Sequence, residues 1–399
     1  MTTVNLRIPG PTPLPDAVRE AGSNQMVNHR GPEFRDLIMR VTQRMQRAFR
    51  TKNDLLILTC SGTGALEAVV VNHLSPGDPV LAVSIGSFGD RFAKIASTYG
   101  AHVTKLDFEW GRAAEPSKVA EALRAMADQG RSARAILLTH NETSTGVENP
   151  LRDLAAAVRE TSPDTLILVD AISGLGAVPF DADAWGLDVV ATGSQKSWMA
   201  PPGLAMVSVS ERAWVASERA AMPRFYFDLA KAKKLLATGE TPWTPAVGVL
   251  FALDVALDIL ESEGDEHIFA RHAACAAAAR AGLMALGYSL FAEPKHASKT
   301  VTSVWMRDGI EWAALNKDMR ARGLVIAGGQ DRLAGQIMRI GHLGDVDLED
   351  VIDAIRVVGE STAALGAEVD VEGAVAAARS AGAGGAGKVA QPLAATATA

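Results

Sequence analysis

Short apolar runs alternate with longer amphipathic stretches through the first two thirds of the chain. Seven of these runs have the length and the continuous apolar character of buried strands: 54–59, 80–84, 103–106, 135–139, 165–170, 188–192 and 205–209. Most of them are separated by segments with helical spacing, an order typical of a parallel sheet covered by helices. The pattern therefore predicts an α/β protein with a mainly parallel, seven-stranded, doubly wound sheet and helices on both faces.

The sequence outside these runs indicates further units. Proline-rich residues 1–15 predict an extended N-terminal arm, because so much proline prevents helix formation. The seven runs lie in a large domain, 16–258. A long alanine-rich helix near 267–286 and a strand at 300–306 then predict a smaller α+β domain, 259–365. Residues 366–399 are rich in Ala, Gly and Thr, and this composition predicts disorder.

Composition excludes several classes of protein. The 399 residues carry 39 basic and 46 acidic side chains, a formal charge of −7 that gives no electrostatic basis for nucleic-acid binding. The two cysteines, Cys60 and Cys275, imply no disulfide framework and favour a reducing compartment. No uninterrupted apolar run reaches 18 residues, and no secretory signal opens the chain. We therefore expect a soluble, cytoplasmic protein without a membrane partner.

One lysine stands out by its position. Lys196 follows the apolar run 188–192 through a Gly193-Ser194 turn, and the rigid Pro-Pro-Gly segment 201–203 comes soon after it. A lone lysine is usually a solvated surface residue. A lysine at a buried strand end can instead face a cleft, where low polarity lowers the ammonium pKa and frees an amine nucleophile.

An acid ends the preceding apolar run. Asp170 could cap a helix, which is a common role of Asp. Strand ends of parallel sheets also collect catalytic groups. An acid paired there with a lysine is the arrangement that pyridoxal 5′-phosphate (PLP) chemistry requires, with the lysine bonded to the cofactor and the acid beside its ring nitrogen. No group of metal ligands is predicted.

A cofactor phosphate needs a cradle, and a small-residue turn at 61–64 opens a helix that is predicted to run to His73. Glycine lets the backbone approach a ligand, and a helix N-terminus offers unpaired N–H groups to phosphate. A dinucleotide fingerprint would need Gly in place of Glu67, and a P-loop would need a Gly-Lys-Ser/Thr ending. An ordinary helix start remains an alternative. Phe88 also begins a helix, where an aromatic ring can face a ligand.

Six segments together resemble one known family. They are Ser61-Gly62-Thr63, Thr143, Asp170, Ser194-Gln195-Lys196, Ala200-Pro201-Pro202-Gly203 and Arg339-Ile340-Gly341-His342-Leu343-Gly344. In this order and spacing the chain resembles class V aminotransferases, of the fold-type I PLP-dependent enzymes, from about residue 8 to 358. The branch it resembles most contains the alanine–glyoxylate and serine–glyoxylate (serine–pyruvate) aminotransferases.

The resemblance implies a role for each matching residue. Lys196 matches the lysine that bonds to the cofactor, Asp170 the acid at the ring nitrogen, and Arg339 the arginine that binds the substrate carboxylate. The residues that match phosphate-binding positions are Ser61, Gly62, Thr63 and Gln195, and those that match ring-contacting positions are Phe88, Thr143 and Ile172. Gly10 matches a glycine whose backbone approaches the substrate. Thr244 matches the residue that reaches the phosphate of the neighbouring subunit, which implies a homodimer. Phe88 stands where the family often has Trp.

The resemblance leaves the reaction partly open. It implies transfer of an amino group from a small amino acid to a 2-oxo acid such as glyoxylate or pyruvate, by a ping-pong mechanism. Lyases such as cysteine desulfurases resemble the same cofactor residues but need a mobile cysteine, and neither Cys60 nor Cys275 has such a setting. A non-catalytic PLP-binding protein is disfavoured by the presence of both Lys196 and Arg339. A dicarboxylate donor such as aspartate would need a second arginine, for which Arg332 and Arg30 are weak candidates.

Overall fold

The computed structural model describes residues 4–384, which form fourteen strands and thirteen α-helices. The strands are β1 Asn5–Leu6, β2 Asp54–Leu58, β3 Pro79–Ser84, β4 His102–Asp107, β5 Ala135–Thr139, β6 Asn141–Glu142, β7 Val147–Glu148, β8 Leu166–Asp170, β9 Val189–Gly193, β10 Ala205–Val209, β11 Val301–Trp305, β12 Leu324–Val325, β13 Ala327–Gly328 and β14 Ile337–Gly341. The helices are α1 Asp16–Ala21, α2 Pro32–Ala48, α3 Gly62–His73, α4 Ser87–Thr98, α5 Pro116–Asp128, α6 Leu151–Thr161, α7 Glu211–Ser217, α8 Leu229–Leu236, α9 Val247–Glu263, α10 Asp265–Ala285, α11 Trp312–Ala321, α12 Leu348–Ala364 and α13 Val371–Gly382. None of the helices in this part of the chain is both long and apolar enough to cross a membrane.

The seven predicted strands form one sheet. Its spatial order is β2-β10-β9-β8-β5-β3-β4, and β10 is the strand that runs against its two neighbours. The other six strands point the same way, so their carboxyl ends meet at one edge of the sheet. The fold-type I α/β prediction is confirmed, including the number of strands and their mainly parallel order.

Alternation along the strands explains why helices cover both faces of this sheet. Leu81, Ile136 and Ile167 face a core that is closed by α2, α5, α6 and α9. Their chain neighbours Val80 and Leu137 face a second core, which is closed by α3, α4, α7 and α8. Because both faces are buried, these strands are continuously apolar rather than alternating with polar residues.

The smaller unit is built on a three-stranded antiparallel sheet, β11-β14-β13. Helices α10, α12 and α13 pack together beside it around a separate apolar cluster. The N-terminal arm joins this unit, since β1 pairs in parallel with β12 and the Gly341 N–H donates to the Arg7 carbonyl at 2.7 Å. Helix α9 spans the predicted boundary at 258/259, so the division at that residue stays a prediction.

The prediction of disorder after residue 365 is wrong for the described part of the tail. Residues 371–382 form α13, whose N-terminus is capped by the Asp370 side chain. Ala374, Val375 and Ala378 are buried against α10 and α12. Their small side chains let the helices approach closely, a stabilisation that composition alone does not reveal. Residues 385–399, the rest of the predicted tail, lie outside the described residues.

Candidate active site

The carboxyl edge of the sheet brings the predicted lysine into a largely buried position. Lys196 lies three residues after β9, and its ammonium donates a hydrogen bond to the Pro9 carbonyl of the N-terminal arm. Burial lowers the pKa of this ammonium from 10.5 to about 8, with smaller contributions from Arg339 and Arg91, while Asp170 opposes the change. The fraction of neutral, nucleophilic amine near neutral pH is therefore larger than for a solvated lysine.

The arm is fitted closely around Lys196. Gly10 has φ +108°, and a Cβ built on it would lie 2.7 Å from both Cδ and Nζ of Lys196. The Thr12 N–H donates to the Gln195 carbonyl at 3.1 Å, and its hydroxyl donates to the Lys196 carbonyl at 3.1 Å. Only glycine fits at position 10, for steric and conformational reasons. Gly10 thus lies directly against Lys196, while its predicted approach to the substrate stays a prediction.

Asp170 ends β8 beside β9 and is 4% exposed. Its Oδ1 accepts from the Ile172 N–H at 3.0 Å. Burial raises the pKa of this carboxyl from 3.8 to about 7, with Glu142 adding to the rise and Lys196 and Arg91 opposing it. Within residues 4–384 no cationic nitrogen lies within 4.0 Å of it, so its negative charge has no ionic partner in the described chain.

The small-residue turn does begin a helix at this edge. Gly62 opens α3, and a Cβ at this position would lie 2.5 Å from Cδ1 of Ile172. Ser61 does not cap its own helix with its hydroxyl, and Thr63 follows in the first turn. Oε1 of Gln195 is buried and has no hydrogen-bond partner in the described chain. Because the first N–H groups of a helix lack intrahelical partners, this turn can receive an anion.

Arg339 approaches the same region from the smaller unit. It lies on β14 and is 4% exposed. Its Nη1 donates to the Thr143 carbonyl at 2.9 Å, and its Nε donates to the Gly328 carbonyl at 2.8 Å. Burial lowers the pKa of the guanidinium from 12.5 to about 10, against the field of Glu142. Among the described residues no carboxylate oxygen lies within 4.0 Å of it, so a buried cation is left without an ionic partner.

Phe88 is the second residue of α4 and is partly buried, with the Arg91 guanidinium 4.7 Å from its ring centroid. Sequence reasoning missed the residue that holds this helix end, Glu142. Its Oε2 accepts from the N–H groups of Phe88 and Gly89, both at 3.0 Å. An acid three residues after the end of the buried strand β5 was the available signal.

One predicted residue stands apart from the others. Thr244 is exposed, and no hydrogen bond joins it to the groups around Lys196 within the described chain. Its predicted contact was with a neighbouring subunit, so that role stays a prediction. Among the others, direct contacts join Gly10 to Lys196, Ile172 to Gly62 and Asp170, and Arg339 to Thr143.

Comparison with known proteins identifies the family. The model of the family "Aminotransferase class-V" matches residues 7–344. The chain is a class V aminotransferase. It is 43% identical over 88% of its length to a "Soluble hydrogenase 42 kDa subunit" of Anabaena cylindrica, 91% of which is covered. It is also similar to a serine–glyoxylate aminotransferase of Methylorubrum extorquens (35% identity, 94% of this chain and 95% of the relative) and to an L-aspartate–glyoxylate aminotransferase of Paracoccus denitrificans (33%, 95% and 96%).

Solved structures agree with this assignment. A pyridoxamine–pyruvate aminotransferase from Mesorhizobium loti superposes with a TM-score of 0.90 at 29% identity, over 96% of this chain and 97% of that one. The class V aminotransferase is a PLP-dependent enzyme, and its site fits this cofactor. The α3 turn, whose first N–H groups lack intrahelical partners, suits a phosphate, and Asp170, which has no cationic nitrogen within 4.0 Å among residues 4–384, suits a protonated ring nitrogen.

Proposed function

We propose that this enzyme transfers the amino group of a small neutral amino acid, of the alanine, serine or glycine type, to glyoxylate or pyruvate. The observation that carries the proposal is Arg339, a buried guanidinium without an acidic partner among residues 4–384. Amino acids and 2-oxo acids share one group, the α-carboxylate, and a guanidinium binds it through two parallel hydrogen bonds. One site can thus serve the donor and the acceptor in turn.

We propose that Lys196 is the residue that bonds to the cofactor and moves the proton. When bound, PLP supplies an electron sink that stabilises the negative charge left on the substrate Cα after deprotonation. The amine of Lys196 takes the proton from Cα and later returns a proton, since its lowered pKa suits both steps near neutral pH. Gly10 and the arm limit the space around this amine and exclude water.

The remaining residues have binding roles in the proposal. Asp170 holds a proton at the ring nitrogen, and the ionic contact compensates for the burial of its carboxylate. Ser61, Gly62, Thr63 and Gln195 would bind the phosphate. Phe88, Thr143 and Ile172 would contact the ring.

The preference for a neutral donor rests on the two arginines that could bind a second carboxylate. Arg30 is exposed and donates to Glu240 Oε2 and to the Thr241 carbonyl, both at 2.9 Å. Arg332 is also exposed, and its guanidinium lies 3.8 Å from the ring centroid of Trp110. Each guanidinium is therefore already engaged by other groups of the chain. The names of the relatives include both serine and aspartate as donors, so aspartate is the alternative.

A screen of the first half-reaction tests the donor. The PLP-loaded enzyme is mixed in single turnover with alanine, serine, glycine, aspartate or glutamate, and the change in cofactor absorbance is followed. We expect the three small neutral amino acids to react fastest. A faster reaction with aspartate or glutamate would contradict the proposal and show that the donor is a dicarboxylic amino acid.

Arg339 variants test the carboxylate site. Arg339→Lys keeps the charge but loses the paired donors, and Arg339→Ala leaves the substrate carboxylate without a partner. A charge-assisted hydrogen bond contributes about 1.5–3 kcal/mol, so we expect KM to rise by roughly one to two orders of magnitude, more for Ala than for Lys. The rise should be the same for amino acid and 2-oxo acid. Unchanged KM values in Arg339→Ala would place the carboxylate site elsewhere, with Arg332→Ala the next variant to measure.

The cysteines disfavour a desulfurase-like lyase. Burial and the nearby Glu67 raise the pKa of the Cys60 thiol to about 12, and burial raises that of Cys275 to about 12. Neither thiol is therefore a ready nucleophile. Both are free, which supports our further proposal of a cytoplasmic location, a compartment that keeps thiols reduced. Cell fractionation with an antibody against the chain tests that location.

We also propose a homodimer with shared active sites, in which Thr244 of one subunit reaches the phosphate bound by the other. Near Thr244 the surface carries three aromatic side chains: Phe225 is 77% and Tyr226 45% exposed, and both rings lie within 6 Å of the Trp243 ring. Such exposed apolar groups are typical of interfaces. Sedimentation velocity should give a dimer at micromolar concentration, and a monomer with full activity would contradict the proposal.

A further inference from the structure

Glu142 is a buried carboxylate whose setting the proposed mechanism does not yet use. It lies at the end of β6, is 0% exposed, and has no cationic nitrogen within 4.0 Å in the described part of the chain. Its two oxygens accept four hydrogen bonds. Oε2 accepts from Phe88 N and Gly89 N, and Oε1 accepts from Ser144 N at 3.1 Å and Ser144 Oγ at 2.5 Å.

This arrangement closes the N-terminus of α4 from outside the helix. The residue before α4, Gly86, has no side chain to cap it, and a Cβ there would lie 2.5 Å from Cδ of Glu142. Ser144 Oγ accepts from the Ser87 N–H at 2.9 Å. Glu142 and Ser144 therefore satisfy the first three N–H groups of α4, which include that of Phe88.

The same residues also fix the support of Arg339. Thr143 lies between Glu142 and Ser144, and its carbonyl is the acceptor for Arg339 Nη1 at 2.9 Å. Since both neighbours of Thr143 are held, the direction of this carbonyl is held as well. The field of Glu142 reaches Arg339 and raises the pKa of its guanidinium. One side chain thus connects Phe88 with the carboxylate-binding arginine.

We propose that Glu142 is a positioning residue that fixes the positions of Phe88 and Arg339 relative to each other. It acts on Phe88 through the N-terminus of α4 and on Arg339 through the Thr143 carbonyl. The inference rests on the proposed function, in which Phe88 faces the cofactor and Arg339 binds the substrate. Four donors converge on two oxygens, so only the ionised carboxylate satisfies all of them, although burial raises its pKa.

Glu142→Gln is the test, because it keeps the shape but must turn an NH₂ group either towards the N–H groups of Phe88 and Gly89 or towards the N–H and hydroxyl of Ser144. Asp188→Asn is the matched control. Asp188 is 3% exposed, and it binds Arg159 and the Ile167 N–H at the opposite end of the sheet strands. Both variants lose a buried carboxylate, so a general loss of stability should affect both.

We expect Glu142→Gln to lower kcat/KM by about 10- to 100-fold, since misplaced binding groups have effects of this size. The loss should be equal in both half-reactions and include a higher KM for amino acid and 2-oxo acid. Asp188→Asn should leave KM unchanged. Ser144→Ala should lower kcat/KM by a smaller factor. Combining Glu142→Gln with Ser144→Ala should cost less free energy of activation than the two single substitutions added together. A Glu142→Gln enzyme with unchanged KM values would overturn the proposal.

Amide hydrogen exchange gives a second readout that needs no substrate. In the cofactor-free protein, amide exchange should be faster in Glu142→Gln than in the parent, in the peptide containing Phe88 and Gly89 or in the one containing Ser144, and neither peptide should change in Asp188→Asn. Unchanged exchange in both peptides of Glu142→Gln would also overturn the proposal. If exchange responds but no amino acid is a donor, the capping contact stands and the proposed function is what fails.

Discussion

Lys196→Ala should abolish turnover in both half-reactions while PLP stays bound without a covalent bond. The amine of Lys196 is the group that we propose takes the Cα proton. The residues packed around it leave little room for another base to replace it. Gly10 packs against its side chain, and the arm is tied to its backbone. General acid–base groups contribute roughly 10²–10⁴-fold, so we expect the rate of the first half-reaction to fall by at least about 10³-fold.

Borohydride reduction followed by peptide mass analysis provides the measurement for Lys196. The parent enzyme should carry the cofactor mass on the peptide that contains Lys196, and the variant should carry none. Lys105→Ala is a suitable control, because Lys105 is exposed and pairs with Asp90 and Asp107. If the parent enzyme carried the cofactor mass on a different lysine, Lys196 would not be the residue that bonds to PLP.

The sheet could be predicted from the sequence because each strand is marked by the apolar pattern of its own few residues. Runs such as 135–139 and 165–170 are short, apolar and separated by helices, and burial on both faces permits little other than a parallel strand. The edge where Asp170 and Lys196 meet then follows, since parallel strands place their carboxyl ends together. The position of Arg339 followed from resemblance alone, as β14 lies about 140 residues further along the chain.

What the sequence did not indicate depends on contacts between distant segments. Two of the four hydrogen bonds of Glu142 join β6 to α4, more than 50 residues earlier in the chain. The proline-rich arm was expected to be extended, but its pairing with β12 and its carbonyl contact with Lys196 arise only when the smaller unit is assembled. Helix α13 was missed because its alanines have no strong hydrophobic signal until α10 and α12 cover them. Packing between remote elements is not visible in a local pattern.

Asp170→Asn should have opposite effects on catalysis and on the stability of the cofactor-free protein. With PLP bound, the ring nitrogen loses its charge partner. We therefore expect weaker PLP binding and a Cα deprotonation slower by about 10²-fold or more, the size seen when a preorganised electrostatic contact is removed. Single-turnover absorbance with alanine measures this rate. An Asn variant with the parental rate would show that the carboxyl serves only the Ile172 N–H.

Without PLP the variant should be the more stable protein at pH 8. The pKa of Asp170 rises from 3.8 to about 7 on folding, so the folded protein binds more protons between these values and loses stability as the pH rises through them. The difference of about 3 units corresponds to an upper limit of ~4 kcal/mol. Asn carries no charge and avoids this penalty, although Lys196 loses a favourable neighbour.

Thermal unfolding with and without PLP, at pH 4 and pH 8, tests the sign of this effect. At pH 8 the cofactor-free variant should unfold a few degrees above the cofactor-free parent, and the two should converge at pH 4, where the folded-state carboxyl is protonated. Saturating PLP should reverse the order at pH 8, because a ligand stabilises the protein that binds it more tightly. If the cofactor-free parent were the more stable at pH 8, Asp170 would already have a partner in the protein, and its proposed role at the ring nitrogen would lose its energetic basis.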